Sequence, residues 1–177
     1  MKSQDESMSR AFNRLHLIAR NESKVRDDYL IRLLKDTKYP YTYCTGRWNL
    51  SVEMTHNLVG GLVYLHRTKA DPAYIGGLIC GWHPSISHDV KKKDRISLHF
   101  IALYDCRLGE WGEHDNQRAW MHLEQHVKRP SEITAYNRRR FKGAHRRSFK
   151  DIDDEMLEFI EYQKTLHQKC AFVEQPK

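Results

Sequence analysis

The sequence predicts an α+β protein, a small curled antiparallel β-barrel flanked by N- and C-terminal helices. Apolar residues recur at helical spacing near both ends of the chain, and three short runs rich in β-forming residues occupy its middle. A length of 177 residues suits a single domain over 1–177. Within it we predict a helical segment over 8–36, a barrel core over 43–106 and a second helical segment over 113–170.

The N-terminal segment has an apolar stripe at helical spacing. Phe12, Leu15 and Ile18 stand three residues apart, and later apolar residues of the same segment continue the stripe. This pattern predicts a helix over 8–36. The proline-containing stretch 37–43 that follows predicts an extended connector.

The middle of the chain has strand periodicity. Residues 62–67 and 74–82 are predicted to form strands separated by a turn, and the second run contains several glycines. Glycine inside a strand marks a bulge, a barrel corner or a close approach of two backbones. A third strand over 95–106 has apolar residues on both faces, which indicates that it is covered on both sides. Three strands this close along the chain favour a curled antiparallel sheet or small barrel.

Helical character is predicted again toward the C-terminus. Asp115 is a suitable N-cap for a helix that ends before Pro130, and Ser131 is a suitable cap for a short helix after it. Residues 151–169 have the clearest helical pattern, with acidic residues at the start, an apolar side and basic residues near the end.

Residues 138–150, which we call the basic strip, hold all of the chain's excess positive charge. The net charge of the chain is +7, and the strip contains seven cations and no acid, so the remainder is formally neutral. Clustered cations bind polyanions because they displace condensed counterions, and Phe141 and Phe149 could stack on bases or anchor the strip. The strip therefore predicts nucleic-acid contact; the alternatives are a solvated charge run or docking on an acidic protein. Its cations are Arg138, Arg139, Arg140, Lys142, Arg146, Arg147 and Lys150.

Two groups of histidines stand close together in the sequence, but neither predicts a catalytic or metal site. His122 and His126 are four residues apart on a predicted helix, yet HLEQH lacks the HExxH order, and eleven histidines make such a pair expected by chance. His83, His88 and Asp89 are predicted in a loop after the second strand, as the rim of a ligand site or as plain polar surface. No nucleophile motif or phosphate loop occurs. We predict no catalytic residue, no metal and no cofactor, and a binding protein rather than an enzyme.

The cysteines and the hydropathy of the chain predict its surroundings. The four cysteines are far apart and form no CxxC pair, which is typical of reduced, partly buried residues. No apolar run approaches the length that spans a bilayer, and the N-terminus does not resemble a secretory signal. These features predict a cytoplasmic protein that does not engage a membrane.

Three short segments follow one another in the middle of the chain: TGRW at 45–48, GGLVYLHR at 60–67 and YIGGLI at 74–79. Together with the alternating strand at 95–104, their order resembles the EVE branch of the PUA-like superfamily, which also contains the ASCH and SRA modules. The resemblance covers about a third of the chain, and Gly61 stands where such domains commonly have an acid. It implies a curled β-barrel with a concave pocket that reads nucleic acid, often a flipped or modified base.

The resemblance implies a ligand-binding pocket. Arg47 and Trp48 stand at the matching positions and are the candidates for the pocket walls, because tryptophan offers a stacking face and arginine a planar donor fork. Trp82 and His83 complete the predicted pocket. The alternative for Trp48 is a core residue that plugs the barrel. The leading hypothesis is a module that binds DNA or RNA and reads a modified base. The alternatives are a small interaction factor, of mobile-element or phage type, that binds a host protein complex, and an ASCH-like enzyme acting on RNA or a nucleoside.

Overall fold

A computed structural model describes residues 12–19, 31–46, 48–86, 94–108, 118–123 and 147–173. Its elements are seven strands, two α-helices and two 3-10 helices. The strands are β1 (Phe12–Ile18), β2 (Arg32–Leu33), β3 (Thr42–Cys44), β4 (Leu62–His66), β5 (Ile75–Ile86), β6 (Asp94–Ala102) and β7 (Arg118–Leu123). The helices are α1 (Val52–Leu58) and α2 (Asp154–Val173), with 3-10 turns at Tyr104–Leu108 and Phe149–Asp151.

All seven strands belong to one mixed sheet, in the order β2-β3-β6-β5-β4-β1-β7. The pair β1 and β4 is parallel, whereas every other pair is antiparallel. β2 and β7 lie at the two ends of this order, so the sheet is open over the described residues. The predicted α+β class is confirmed, while a closed barrel is not seen in this part of the chain.

The central strands and the last helix lie where the sequence predicts them. β4, β5 and β6 overlap the three predicted runs, although β5 continues beyond residue 82 to Ile86 and β6 ends at Ala102. β6 is covered on both sides, since Phe100 and Ile101 on its opposite faces are fully buried. α2 corresponds to the helix predicted over 151–169. It begins after Asp153, whose carboxylate accepts a hydrogen bond of 2.8 Å from the amide of Met156 in the manner of an N-cap.

The predicted N-terminal helix over 8–36 is wrong wherever the structure describes that segment, because residues 12–18 form β1 and residues 32–33 form β2. β1 pairs with β4 and β7 along its two edges, and both of its faces are also buried, since Leu15 and Leu17 on one face and His16 on the other are fully buried. A strand buried on both faces need not alternate between apolar and polar residues. Its apolar positions therefore coincide with helical spacing by accident.

The helix predicted from Asp115 to about Val127 is also wrong over residues 118–123, which form β7 and pair antiparallel with β1. Ala119, Met121 and Leu123 stand two residues apart, which is the period of a strand. The backbone of β7 pairs with the edge of β1 that does not pair with β4. The short helix predicted after Ser131 lies outside the described residues, as does most of the basic strip. The sequence also gave no indication of α1, which begins after Ser51.

The hydrophobic core extends along both faces of the sheet. α2 contacts β5 and α1, and its buried residues Met156 and Ile160 join the core. Within β5 the pairing with β6 shifts register between Ile79 and Gly81, which is a β-bulge. Among the described residues, neither helix is long and apolar enough to cross a membrane.

Candidate functional site

Three of the four predicted pocket residues lie beside β6. Trp48 forms an isolated bridge with this strand through its backbone, and Trp82 and His83 pair with it as part of β5. Arg47 lies outside the described residues. The prediction that His83 stands in a loop is wrong, because β5 continues to Ile86 while its pairing with β6 persists.

The two tryptophans and His83 differ in exposure. Trp48 and Trp82 are each only 7% exposed and belong to the hydrophobic core, which corresponds to the packing alternative for Trp48. The indole of Trp82 stacks on the imidazole of His167 from α2, with ring centroids 5.0 Å apart and 25° between planes. His83 is exposed, so it is the predicted pocket residue that a ligand in solution reaches first.

His83 belongs to a group of three side chains of the types that bind metal ions. We call it the His-Cys cluster: Cys44, His83 and His99, whose sulfur and nearest ring nitrogens all lie within 4.8 Å of one another. Nδ1 of His83 is 2.6 Å from Nε2 of His99, and the two ring centroids are 4.9 Å apart. Cys44 is buried, His99 is partly buried and His83 is exposed, so the cluster extends from the interior to the surface.

The sheet topology brings these residues together. In β6, His99 pairs with Cys44 of β3 on one side and with Gly81 of β5 on the other, and His83 follows two residues after Gly81. Gly81 also makes room for the rings: a Cβ atom there would lie 3.3 Å from Nε2 of His167 and 3.8 Å from Nδ1 of His99. The cluster therefore sits on three paired strands of the sheet.

Burial controls the protonation of the cluster. Desolvation, with a smaller contribution from the charges of His83 and His167, lowers the pKa of His99 to about 4. Desolvation also lowers the pKa of His167, and it raises the pKa of the Cys44 thiol. His99 is consequently a neutral imidazole and Cys44 a neutral thiol near pH 7. A raised thiol pKa opposes a nucleophilic role for Cys44, because the thiolate is the reactive form.

A second polar group is buried where β1 meets β4. The imidazole of His16 stacks on Tyr64 with centroids 4.6 Å apart, and its Nδ1 lies 2.8 Å from Nε2 of His66. His66 Nδ1 donates to the carbonyl of Asp71 at 2.9 Å, so His16 is the donor to His66 when both rings are neutral. Arg14, 8% exposed, places its guanidinium 5.5 Å from the centroid of the Tyr64 ring. This group lies across the pairing of β1 with β4.

The C-terminal end of the basic strip is fixed to the body of the protein. Arg147 donates from Nη1 to the carbonyl of Pro40 at 3.1 Å and lies over the Tyr39 ring, 5.7 Å from its centroid. The amide of Phe149 donates to the Asp105 carboxylate at 2.6 Å. Lys150 is exposed. Strip residues 138–146 lie outside the described part of the chain, and they connect directly to this anchored end.

Sequence reasoning missed Cys44, His99 and His167. Nothing near Cys44 marks it, and His99 occupies the polar position of an alternating strand together with Arg95 and Ser97, so no local signal distinguishes it from a solvent-facing residue. His122 belongs to β7, so its spacing from His126 is not helical at that point, and His126 lies outside the described residues. Comparisons with protein-family models, with curated proteins and with solved structures found no match.

Proposed function

We propose that the protein binds nucleic acid and that the basic strip provides most of the affinity. The observation that carries this proposal is the concentration of seven cations without an acid in residues 138–150 of an otherwise neutral chain. Each cation that neutralises a phosphate releases a condensed counterion, and this release dominates sequence-independent binding. The anchored end supports the same role, because a segment with one end fixed to the body loses less conformational freedom when it binds than a segment with both ends free would.

The anchor divides the strip into two parts. Arg147 already contacts the Pro40 carbonyl and the Tyr39 ring, and these contacts position the strip. We therefore assign the phosphate contacts chiefly to the cations that precede it. These are Arg138, Arg139, Arg140, Lys142 and Arg146.

The selective half of the proposal is a PUA-like barrel that reads a flipped or modified base beside β6. The bulge between Ile79 and Gly81 favours this shape, because a bulge increases strand twist and so helps a sheet to curl. His167 covers one face of Trp82 in the way that a base would. A base that stacks on this face must displace the His167 ring, and His83 provides the exposed contact next to it.

The phosphate contacts are tested by comparing two triple variants of equal charge. R138A/R139A/R140A removes three cations from the strip, whereas K91A/K92A/K93A removes three cations from a separate basic run and serves as the matched control. Binding of a fluorescent single strand and a duplex, as DNA and as RNA, is measured by anisotropy over a series of salt concentrations. The strip variant is expected to bind more weakly, with a slope of log K against log salt that is shallower by about 2–3.

Two results would contradict the proposal. Equal slopes for the strip variant and its control would remove the strip from the binding surface. The absence of salt-dependent binding to any of the four probes, together with strip-dependent capture of a stoichiometric protein after nuclease treatment, would favour the acidic-protein alternative.

A further inference from the structure

We propose that Cys44, His83 and His99 bind one Zn²⁺ ion. This site is independent of the basic strip, and it does not require that the protein bind nucleic acid. The three residues come from strands β3, β5 and β6, and they lie far apart in the sequence. Their convergence is therefore a product of the fold and not of local spacing.

The distances within the cluster suit a metal of this size. Tetrahedral zinc, with Zn–N of about 2.0–2.1 Å and Zn–S of about 2.3 Å, places its donor atoms about 3.3–3.6 Å apart. The donor atoms of the three residues lie within 4.8 Å of one another, and the two imidazole nitrogens are 2.6 Å apart. To bind zinc, the two imidazole nitrogens would exchange their hydrogen bond for the metal and move apart by about 0.7 Å, which rotation of the side chains provides.

The chemistry of the donors selects the metal. One thiolate and two imidazoles are the sulfur and nitrogen ligands that Zn²⁺ prefers, whereas Mg²⁺ and Ca²⁺ require oxygen ligands. The thiol proton of Cys44 now lies toward the Thr45 carbonyl, 3.2 Å from sulfur to oxygen, and binding would release that proton to solvent. His83 is exposed, so the fourth position faces solvent and would hold water or an atom of a ligand.

The surroundings of the cluster hold the ligands in place. Gly81 lies next to His99, and the rings of His99 and His167 approach it from the same side. The alternative explanation is a hydrogen-bonded histidine pair beside an inert buried thiol, and it predicts no metal affinity above that of a surface histidine.

The test uses the full chain, stripped of metal with a chelator and titrated with ZnCl₂ against a chromogenic competitor. We expect one zinc per chain with a Kd below about 1 μM. Cobalt provides a spectroscopic signature: Co²⁺ should give thiolate-to-metal charge-transfer absorption in the near ultraviolet that C44A abolishes. The H83Q variant should weaken zinc binding at least about 10-fold while leaving the fold intact, because His83 is exposed.

The matched control is H126Q, which removes a histidine from the other candidate pair and should leave zinc binding unchanged. Zinc binding that survives H83Q but is lost in H126Q would overturn the proposal, as would a Kd above about 100 μM for the wild-type chain. If C44A fails to fold, H83Q alone decides the outcome, with circular dichroism to confirm that this variant is folded. Tight binding of copper with no measurable zinc affinity would also contradict the assignment.

Discussion

Gly77→Ala should be among the most damaging single substitutions in this protein, because two backbones approach each other at Gly77. A Cβ atom there would lie 2.0 Å from the carbonyl oxygen of Ile101 and 2.9 Å from Cα of Ala102. These are backbone atoms of β6, which cannot rotate away. The strands would have to separate by about 1 Å, because a carbon and an oxygen atom at the distance of the new Cβ from the Ile101 carbonyl repel each other strongly. We expect a loss of about 3 kcal/mol, at the upper end of overpacking costs in a core.

Gly81→Ala is the matched control, since it makes the same chemical change four residues later in the same strand. Its new Cβ would meet the His167 side chain at 3.3 Å, and a side chain can move by a few tenths of an ångström. The lower entropy of the unfolded chain offsets part of this cost, so we expect a change below about 1 kcal/mol.

Urea denaturation compares the two glycine variants. Gly77→Ala should lower the midpoint with an unchanged m-value, and it should lower the Tm by about 6–12 °C. Equal stability of the two variants would refute the argument from backbone proximity and, with it, the described register of β5 against β6.

Three further substitutions or conditions test other parts of the fold. Arg14→Met should leave stability unchanged or raise it by about 1 kcal/mol, because desolvation of the buried guanidinium outweighs its contact with Tyr64; a loss above about 2 kcal/mol in urea would contradict this. Burial lowers the pKa of His66 below 6.5, so this side chain takes up a proton at a higher pH in the unfolded chain than in the folded one. The free energy of unfolding should therefore fall as the pH drops below about 6.5, and it should fall less steeply in His66→Gln. Ser51→Ala should cost about 1 kcal/mol in thermal denaturation, because the Ser51 hydroxyl caps α1, whereas an unchanged Tm would deny it that role.

The parts of the fold that were predictable from sequence are those with local signals. β6 alternates, β5 contains glycines, and α2 has acidic residues at its start and an apolar side. The glycines also marked two of the three features expected of a strand glycine, since Gly77 lies at a close backbone approach and Gly81 next to the bulge.

β1 was wrongly predicted as a helix for a physical reason that applies to any strand with two neighbours and two buried faces. Arg14 and His16 would face water on an exposed helix, but in β1 they are buried against Tyr64 of the neighbouring parallel strand. Their partners lie about 50 residues away, and no local pattern records such a pairing.

The candidate site was less predictable than the fold. Trp48, Trp82 and His83 all lie beside β6, but the two indoles are buried, and whether the three residues form a ligand pocket stays a prediction. The partners of His83 were missed because Cys44 and His99 approach it only through strand pairing across β3, β6 and β5. Side-chain chemistry was visible in the sequence, whereas the neighbours of each side chain were not.

The most direct measurement is the salt dependence of nucleic-acid binding by R138A/R139A/R140A beside that of K91A/K92A/K93A. Our account predicts that only the first variant loses about 2–3 from the slope of log K against log salt, because only it loses phosphate contacts. Identical slopes in the two variants and the wild type would contradict it.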